Sequence, residues 1–177
     1  MSHSEDSDDF AVTAVHIARE IIAQRTVHDA LNRITQLAVE IIEGCDDAGI
    51  LVVRPGGKVE TATSTSQLVI DSNKAQGDLG EGPCFDAARS EQTYRVVDMR
   101  TEKRWPRFAP KALELGIGSM MGFQLFADEE NLGALDLYSK RPYGLTVESE
   151  RKAWIFASHA GVALLGVRQG KQDEQPL

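Results

Sequence analysis

Two apolar runs, Ser119–Phe126 (SMMGFQLF) and Leu132–Tyr138 (LGALDLY), flank the polar stretch Ala127–Asn131. This pattern predicts a β-hairpin. It constrains the chain strongly, because pairing the two strands assigns every side chain on them to one face of a sheet. If Phe126 pairs with Leu132, then Gly122 opposes Asp136 and Met120 opposes Tyr138. Met121, Phe123, Leu125, Leu135 and Leu137 then form an apolar face suited to a core. The other face carries Met120, Gln124, Phe126, Ala134, Asp136 and Tyr138. Apolar bulk with a few polar groups suits one wall of a ligand cavity. It equally suits a face whose polar groups meet backbone or water, and a one-residue slip exchanges the two faces.

The remaining elements fall around this hairpin. Residues 1–9 are acidic and polar and predict a disordered tail. Phe10, Ala14, Ile17 and Ile21 recur at helical spacing and predict a helix over Phe10–Ala23. Thr26 is placed to cap a second helix, whose stripe of Leu31, Ile34, Leu37, Ala38, Ile41 and Ile42 runs up to Gly44. Ala48–Arg54 reads as a strand covered on both faces, with a turn at Pro55-Gly56-Gly57 and a return strand over Val59–Ser64. Gln67–Gln76 reads as a weak helix or a loop. Thr93–Asp98 is a short strand, and Phe108–Leu115 a helix ended by Gly116. Thr146 caps a last helix to Arg168, with Gln169–Leu177 a polar tail. From Ala153 to Val167 this helix is apolar almost all round, so the domain, the first helix or a second subunit must cover it.

Between these elements lies Leu79–Ala88 (LGEGPCFDAA), two glycines and a proline opening onto a short apolar helix. A helix start presents free N–H groups and can line a cavity. The alternative is a tight turn that docks a helix on a sheet. No strand leads into Gly77–Gly82, so it does not read as a dinucleotide-binding loop.

Charge and residue usage exclude several classes of function. The net charge of −8 opposes direct nucleic-acid binding, which needs a basic face. No apolar run approaches the ~20 residues of a membrane span. The amino-terminal MSHSEDSDDF lacks the basic and apolar regions of a signal peptide, so a cytoplasmic location is expected. Cys45 and Cys84 have no metal-binding spacing, and the four histidines are scattered. Neither a metal nor a cofactor is expected.

The element order predicts an α+β fold with a mainly antiparallel sheet and helices on both faces. The runs LGEGPCFDA, YRVVDM, RWPRFAPKALELGIGSM, FQLF and LGALDLYS together resemble the GAF domain of actinobacterial proteins, where it is often followed by an ANTAR RNA-binding domain. The resemblance covers about residues 28–168 and places a single domain over 10–168. It implies a central antiparallel sheet of five or six strands, with terminal helices on one face and short helices and a ligand pocket on the other. Many related sequences have proline at the position of Gln124 and asparagine at that of Asp136. No ANTAR segment follows Arg168, so antitermination is not carried over. The cyclic-nucleotide NKFDE set and the histidine setting of haem and bilin relatives are not found.

The leading expectation is a sensory or regulatory bacterial module in signal transduction or transcriptional regulation, without enzymatic activity. An unknown small-molecule ligand would meet Cys84, Phe85, Trp105, Phe108, Met120, Gln124 and Asp136, with the last two supplying polar recognition. Phe10–Ala23 and Thr146–Arg168 would form a homodimer contact. One alternative is a structural dimerisation domain with a filled pocket. The other is a thiol-dependent reductase; GAF-fold reductases of free methionine-R-sulfoxide use several cysteines, and their motif is absent here.

Overall fold

The computed structural model describes residues 2–90, 92–127 and 130–174. Strands β1 (Asp47–Val53), β2 (Val59–Ser64), β3 (Tyr94–Val96), β4 (Ser119–Ala127) and β5 (Glu130–Ser139) form one sheet in the order β2-β1-β5-β4-β3. Every pairing is antiparallel. The β1–β2 turn uses Gly56 and Gly57, both at positive φ, a region that costs glycine little. Helices α1 (Ser2–Ile22), α2 (Val27–Ile41) and α6 (Val147–Glu174) cover one face, and α3 (Gln67–Leu79), α4 (Pro83–Arg89) and α5 (Phe108–Glu114) cover the other. The fold is α+β, with the two helical layers separated by the sheet.

Alternation on β4 and β5 divides the interior into two cores. Met121, Phe123, Leu125, Leu135 and Leu137 pack with Ile17, Ile21, Ile34, Leu37 and Phe156 under the terminal helices. Met120 and Tyr138 pack with Leu51, Val69, Cys84, Trp105 and Phe108 on the opposite side. Gly122 opposes Asp136, and Met120 opposes Tyr138, as the hairpin predicts. The register departs at the turn end, where Phe126 faces Asn131 instead of Leu132. One extra β5 residue lies between the paired positions, as in a β-bulge. Gly133 beside it has φ +122, and a Cβ there would lie 2.4 Å from the Leu51 carbonyl oxygen. The tip of the turn, residues 128 and 129, and the Phe126 side chain lie outside the described residues.

The end helices are longer than their apolar stripes predict. Helix α1 begins at Ser2, not Phe10, and α6 continues to Glu174, past Arg168. Residues 2–9 contain no glycine or proline, and their acids stand at the end where the helix dipole favours negative charge. Periodicity marks where a helix is buried, not where it stops. Thr26 accepts from Asp29 N at 2.9 Å at the start of α2. Thr146 and Ser149 cap α6 reciprocally, Ser149 N donating to Thr146 Oγ1 (3.2 Å) and Thr146 N to Ser149 Oγ (3.0 Å).

Two glycines set how closely the α3–α5 layer approaches the sheet. A Cβ on Gly49 would lie 2.3 Å from Val69 Cγ1 of α3, and one on Gly122 would lie 2.8 Å from the Pro83 carbonyl oxygen and 3.0 Å from Cys84 Cα. At Gly122 the obstacle is backbone, which no rotamer change relieves. Gly122→Ala should therefore push α4 outward and cost about 1–3 kcal/mol. Urea unfolding of the variant beside the parent protein measures this.

Candidate functional site

The segment from Gly80 to Phe85 is held by side chains that take up its free backbone groups. Gln76 Oε1 on α3 accepts from Cys84 N (2.9 Å) and Phe85 N (3.1 Å), so the start of α4 is already capped. Gly82 has φ +142, and a Cβ there would lie 2.4 Å from the Gln76 side chain. Glu81 Oε1 accepts from Arg107 N (2.6 Å) and Phe108 N (2.9 Å), fixing the start of α5 in the same way. Trp105 Nε1 donates to Asp86 Oδ2 at 2.8 Å, tying the loop before α5 to α4. The N–H groups of Cys84 and Phe85 thus meet a side chain from within the fold.

Below α4 lies a row of three residues across three strands. Asp136 on β5 pairs with Gly49 of β1 on one side and Gly122 of β4 on the other. Neither neighbour has a side chain, and α3 and α4 press down at both glycines. Asp136 is completely buried, and neither carboxyl oxygen has a hydrogen-bond partner. Burial pushes its pKa up to about 8. Cys84 and Asn73 stand near enough to favour the ionised form in part, without reaching hydrogen-bond geometry. The Cys84 thiol and Tyr138 phenol are both pushed well up, by burial first and by the Asp136 charge second.

The other polar groups here satisfy one another. Tyr138 Oη donates to Ser72 Oγ (3.0 Å) and lies 3.4 Å from Asn73 Oδ1. Asn73 Nδ2 donates to Thr61 Oγ1 (3.0 Å), and Gln76 Nε2 to Ser72 Oγ (3.3 Å). Ser72, Asn73 and Gln76 are fully buried on α3, and composition-based reading passed over them. The available signal was their spacing: Val69, Ser72, Asn73 and Gln76 repeat at helical intervals on one inward face.

The structure brings most of the sequence-predicted residues together, in a closed arrangement. Cys84, Trp105, Phe108 and Met120 are buried in one core beside Asp136. Phe85 is also buried but stands outside that core, with the Arg89 guanidinium 5.0 Å from its ring centre. Gln124 is separated from the group. It lines a groove of about 280 Å³ with Gln92, Thr93, Trp154 and Ser158, at the edge of β4 beyond the short strand β3. Among the described residues no group of three His, Cys, Asp or Glu gathers for a metal ion.

The profile of the GAF domain family matches residues 24–165. No curated protein matches the chain. Solved structures similar to it include the GAF domain of a phosphoenolpyruvate-protein phosphotransferase (ptsP) from Coxiella burnetii, at 16% identity and a TM-score of 0.68, covering 92% of this chain and 96% of that one. Another is fRMsr of Staphylococcus aureus in its reduced form, at 13% identity and TM-score 0.67, covering 88% and 94%. The chromophore-binding domain of the bacteriophytochrome RpBphP3 from R. palustris has TM-score 0.71 at 10% identity, covering 93% of this chain and 63% of that one. At these identities the likeness is one of fold.

The raised acid has a signed consequence for stability. An unfolded Asp136 would ionise near pH 4, whereas the folded carboxyl holds its proton to about pH 8. Its contribution is therefore fully present below pH 4, falls as pH rises towards 8, and is constant above that, with a slope approaching ~1.4 kcal/mol per pH unit. Asp136→Asn should remove this dependence. Denaturant unfolding of both proteins at one-unit steps from pH 5 to 9 tests it, and parallel curves would contradict it.

Proposed function

The chain belongs to the GAF domain family, and from that premise we propose that it is a regulatory module that binds a small molecule on the α3–α5 side of its sheet and pairs with a second copy through α1 and α6. The observation that carries the sensing part is Asp136, a buried carboxyl left without a partner amid satisfied polar groups. Buried polar groups are nearly always paired, and an exception calls for an explanation. A ligand that supplies the missing partner is one. The chromophore-binding domain among the similar folds supports a sensory role.

Pairing is supported by the outward faces of the terminal helices. Val12, Val15 and Ile22 on α1 and Val162 on α6 are each more than half exposed. A groove of about 680 Å³ lies beside them, lined by Phe10, Val12, Ile41 and Ile155 with Glu43, Glu148 and Arg151 on its walls. A second copy would cover this apolar stripe. Adjacent β4 residues join the two sides of the sheet: Gly122 lies against α4, while Phe123 meets Trp154 of α6 edge-on, with ring centres 6.0 Å apart.

Thiol chemistry has less support. Cys45 and Cys84 are buried in separate cores on opposite faces of the sheet. Burial pushes Cys45 up to about 12 and Cys84 well above its ordinary value, so neither is a ready thiolate at neutral pH. Nucleic-acid binding is likewise disfavoured, because Arg100, Arg104 and Arg107 are paired with Asp98, Glu102 and Glu81. No helix among the described residues is long and apolar enough to cross a membrane. The closed packing of Met120, Trp105 and Phe108 favours a second reading, a dimerisation domain that takes no ligand.

Native mass spectrometry of protein purified from its own host separates the two readings. Sensing predicts a dimer with an added small mass that Asp136→Leu loses. A dimer of bare chains from gentle purification would favour the structural reading. The dimer has its own test: Val15→Glu combined with Ile22→Glu should give a monomer by light scattering at micromolar concentration, and a parent protein already monomeric there would refute pairing.

A further inference from the structure

We propose that the outer edge of β4 takes an extended, uncharged peptide segment of a partner protein, which joins the sheet as a strand in line with β3 and places an apolar side chain against Trp154. This holds whether or not a ligand binds on the α3–α5 side, and whether or not α1 and α6 pair.

The edge selects an extended main chain. Strand β3 meets β4 only at Met120, Met121 and Gly122, opposite Val96, Arg95 and Tyr94. Strand β4 continues to Ala127, with β5 along its inner side. Among the described residues no strand lies along the outer side of positions 123–127. Such an edge presents unpaired N–H and C=O groups at strand spacing, and another strand is what fits them. Edges are ordinarily guarded by charge, proline, a bulge or a covering element. Positions 123–127 read FQLFA, without charge or proline. The bulge near Leu125 has its extra residue in β5, on the inner side. Gln92 and Thr93, directly before β3, line a groove beside this edge instead of pairing with it.

The groove selects the side chains. It holds about 280 Å³, and none of its lining residues is charged. In a chain where 26% of residues are charged, this neutral recess gives a charged occupant no counterpart for the hydration it loses. Trp154 is 52% exposed, and its ring meets buried Phe123 edge-on. A half-exposed aromatic backed by a buried one is a ready anchor for an apolar side chain. On an added strand, the residue opposite Phe123 faces Trp154, and the next, opposite Gln124, faces the other side. The segment is therefore one of alternating character, with its apolar residues towards α6.

Length selects a short segment over a second copy. Residues 123–127 span about 17 Å of strand. Two such edges paired alone cover far less than the ~800 Å² per partner of a stable interface. A peptide strand needs only the edge and the groove, the mode of recognition by strand addition. Every pairing in this sheet is antiparallel, and a segment running in the direction of β3 continues that pattern.

The experiment selects a phage-displayed library of random decapeptides on the full chain and follows the bound peptides by NMR amide exchange. The expected peptides share an uncharged stretch of alternating apolar residues. Their binding slows exchange of outward amides within residues 123–127, and Trp154→Ala weakens it about thirtyfold. Peptide N-methylation gives a readout that needs no variant. Methylation at every second position, where the N–H faces β4, weakens binding about tenfold or more, and at intervening positions leaves it unchanged. Failure to select any peptide, a charged consensus, protection confined to other parts of the chain, or indifference to the methylated position would each overturn the proposal. So would edge amides already protected in the protein alone and more so at higher concentration, which would make the occupant a second copy.

Discussion

The close approach of α3 and α4 to the sheet, made where β1 and β4 carry glycine, is the constraint on which the rest of this molecule depends. Gly49 and Gly122 are the β-sheet partners of Asp136, one on each side. Because neither has a side chain, Val69 and the start of α4 settle directly onto the strands. That contact leaves Asp136 fully buried beneath α3 and α4. The raised acid, the protonated thiol of Cys84 and the protonated phenol of Tyr138 all follow from this one packing arrangement.

The same strands join the two layers. Along β4, residues alternate between the layers, so Met120 and Gly122 face α4 while Met121 and Phe123 face α6. Displacement of α4 would be felt at Gly122, and its neighbour Phe123 sits against Trp154. Packed interiors transmit such shifts because they compress little. On the proposed reading, this is how a small event over β5 reaches the outward stripe of α1 and α6. The sheet is thin enough for the connection to need no intermediary beyond a single peptide bond.

Much of this arrangement was legible from apolar periodicity. The hairpin register away from its turn, the two faces of β4 and β5, the Thr26 and Thr146 caps and the α+β class all follow from rules of alternation and capping that the structure obeys. What was not legible was polar and buried. Helix α3 places Ser72, Asn73 and Gln76 inward, where a hydrophobic stripe is expected, so its segment reads as a weak helix or a loop. The capped start of α4 was invisible for the same reason, since its partner Gln76 lies eight residues from Cys84 on a separate helix. Gln124 alternates onto the same strand face as Asp136, but β3 is only three residues long, and at this end of β4 the sheet edge opens into a surface groove. Alternation tells which side a residue faces, not how far the covering layer extends.

A carboxyl buried without a partner is a weakness that stability alone would remove. An apolar residue of similar size, or asparagine, avoids a charge in the interior, and replacing buried ionisable groups by apolar ones is often neutral or stabilising. Here every surrounding group is arranged as a well-satisfied core would have it. Tyr138, Ser72, Asn73 and Gln76 close a hydrogen-bonded set among themselves, and the glycines on either side fit their helices closely. Poor packing therefore does not account for the acid, because the packing is good. Departures from local consistency in an otherwise consistent structure concentrate at functional sites. That reasoning, more than the general fold, places the weight of the functional assignment on Asp136.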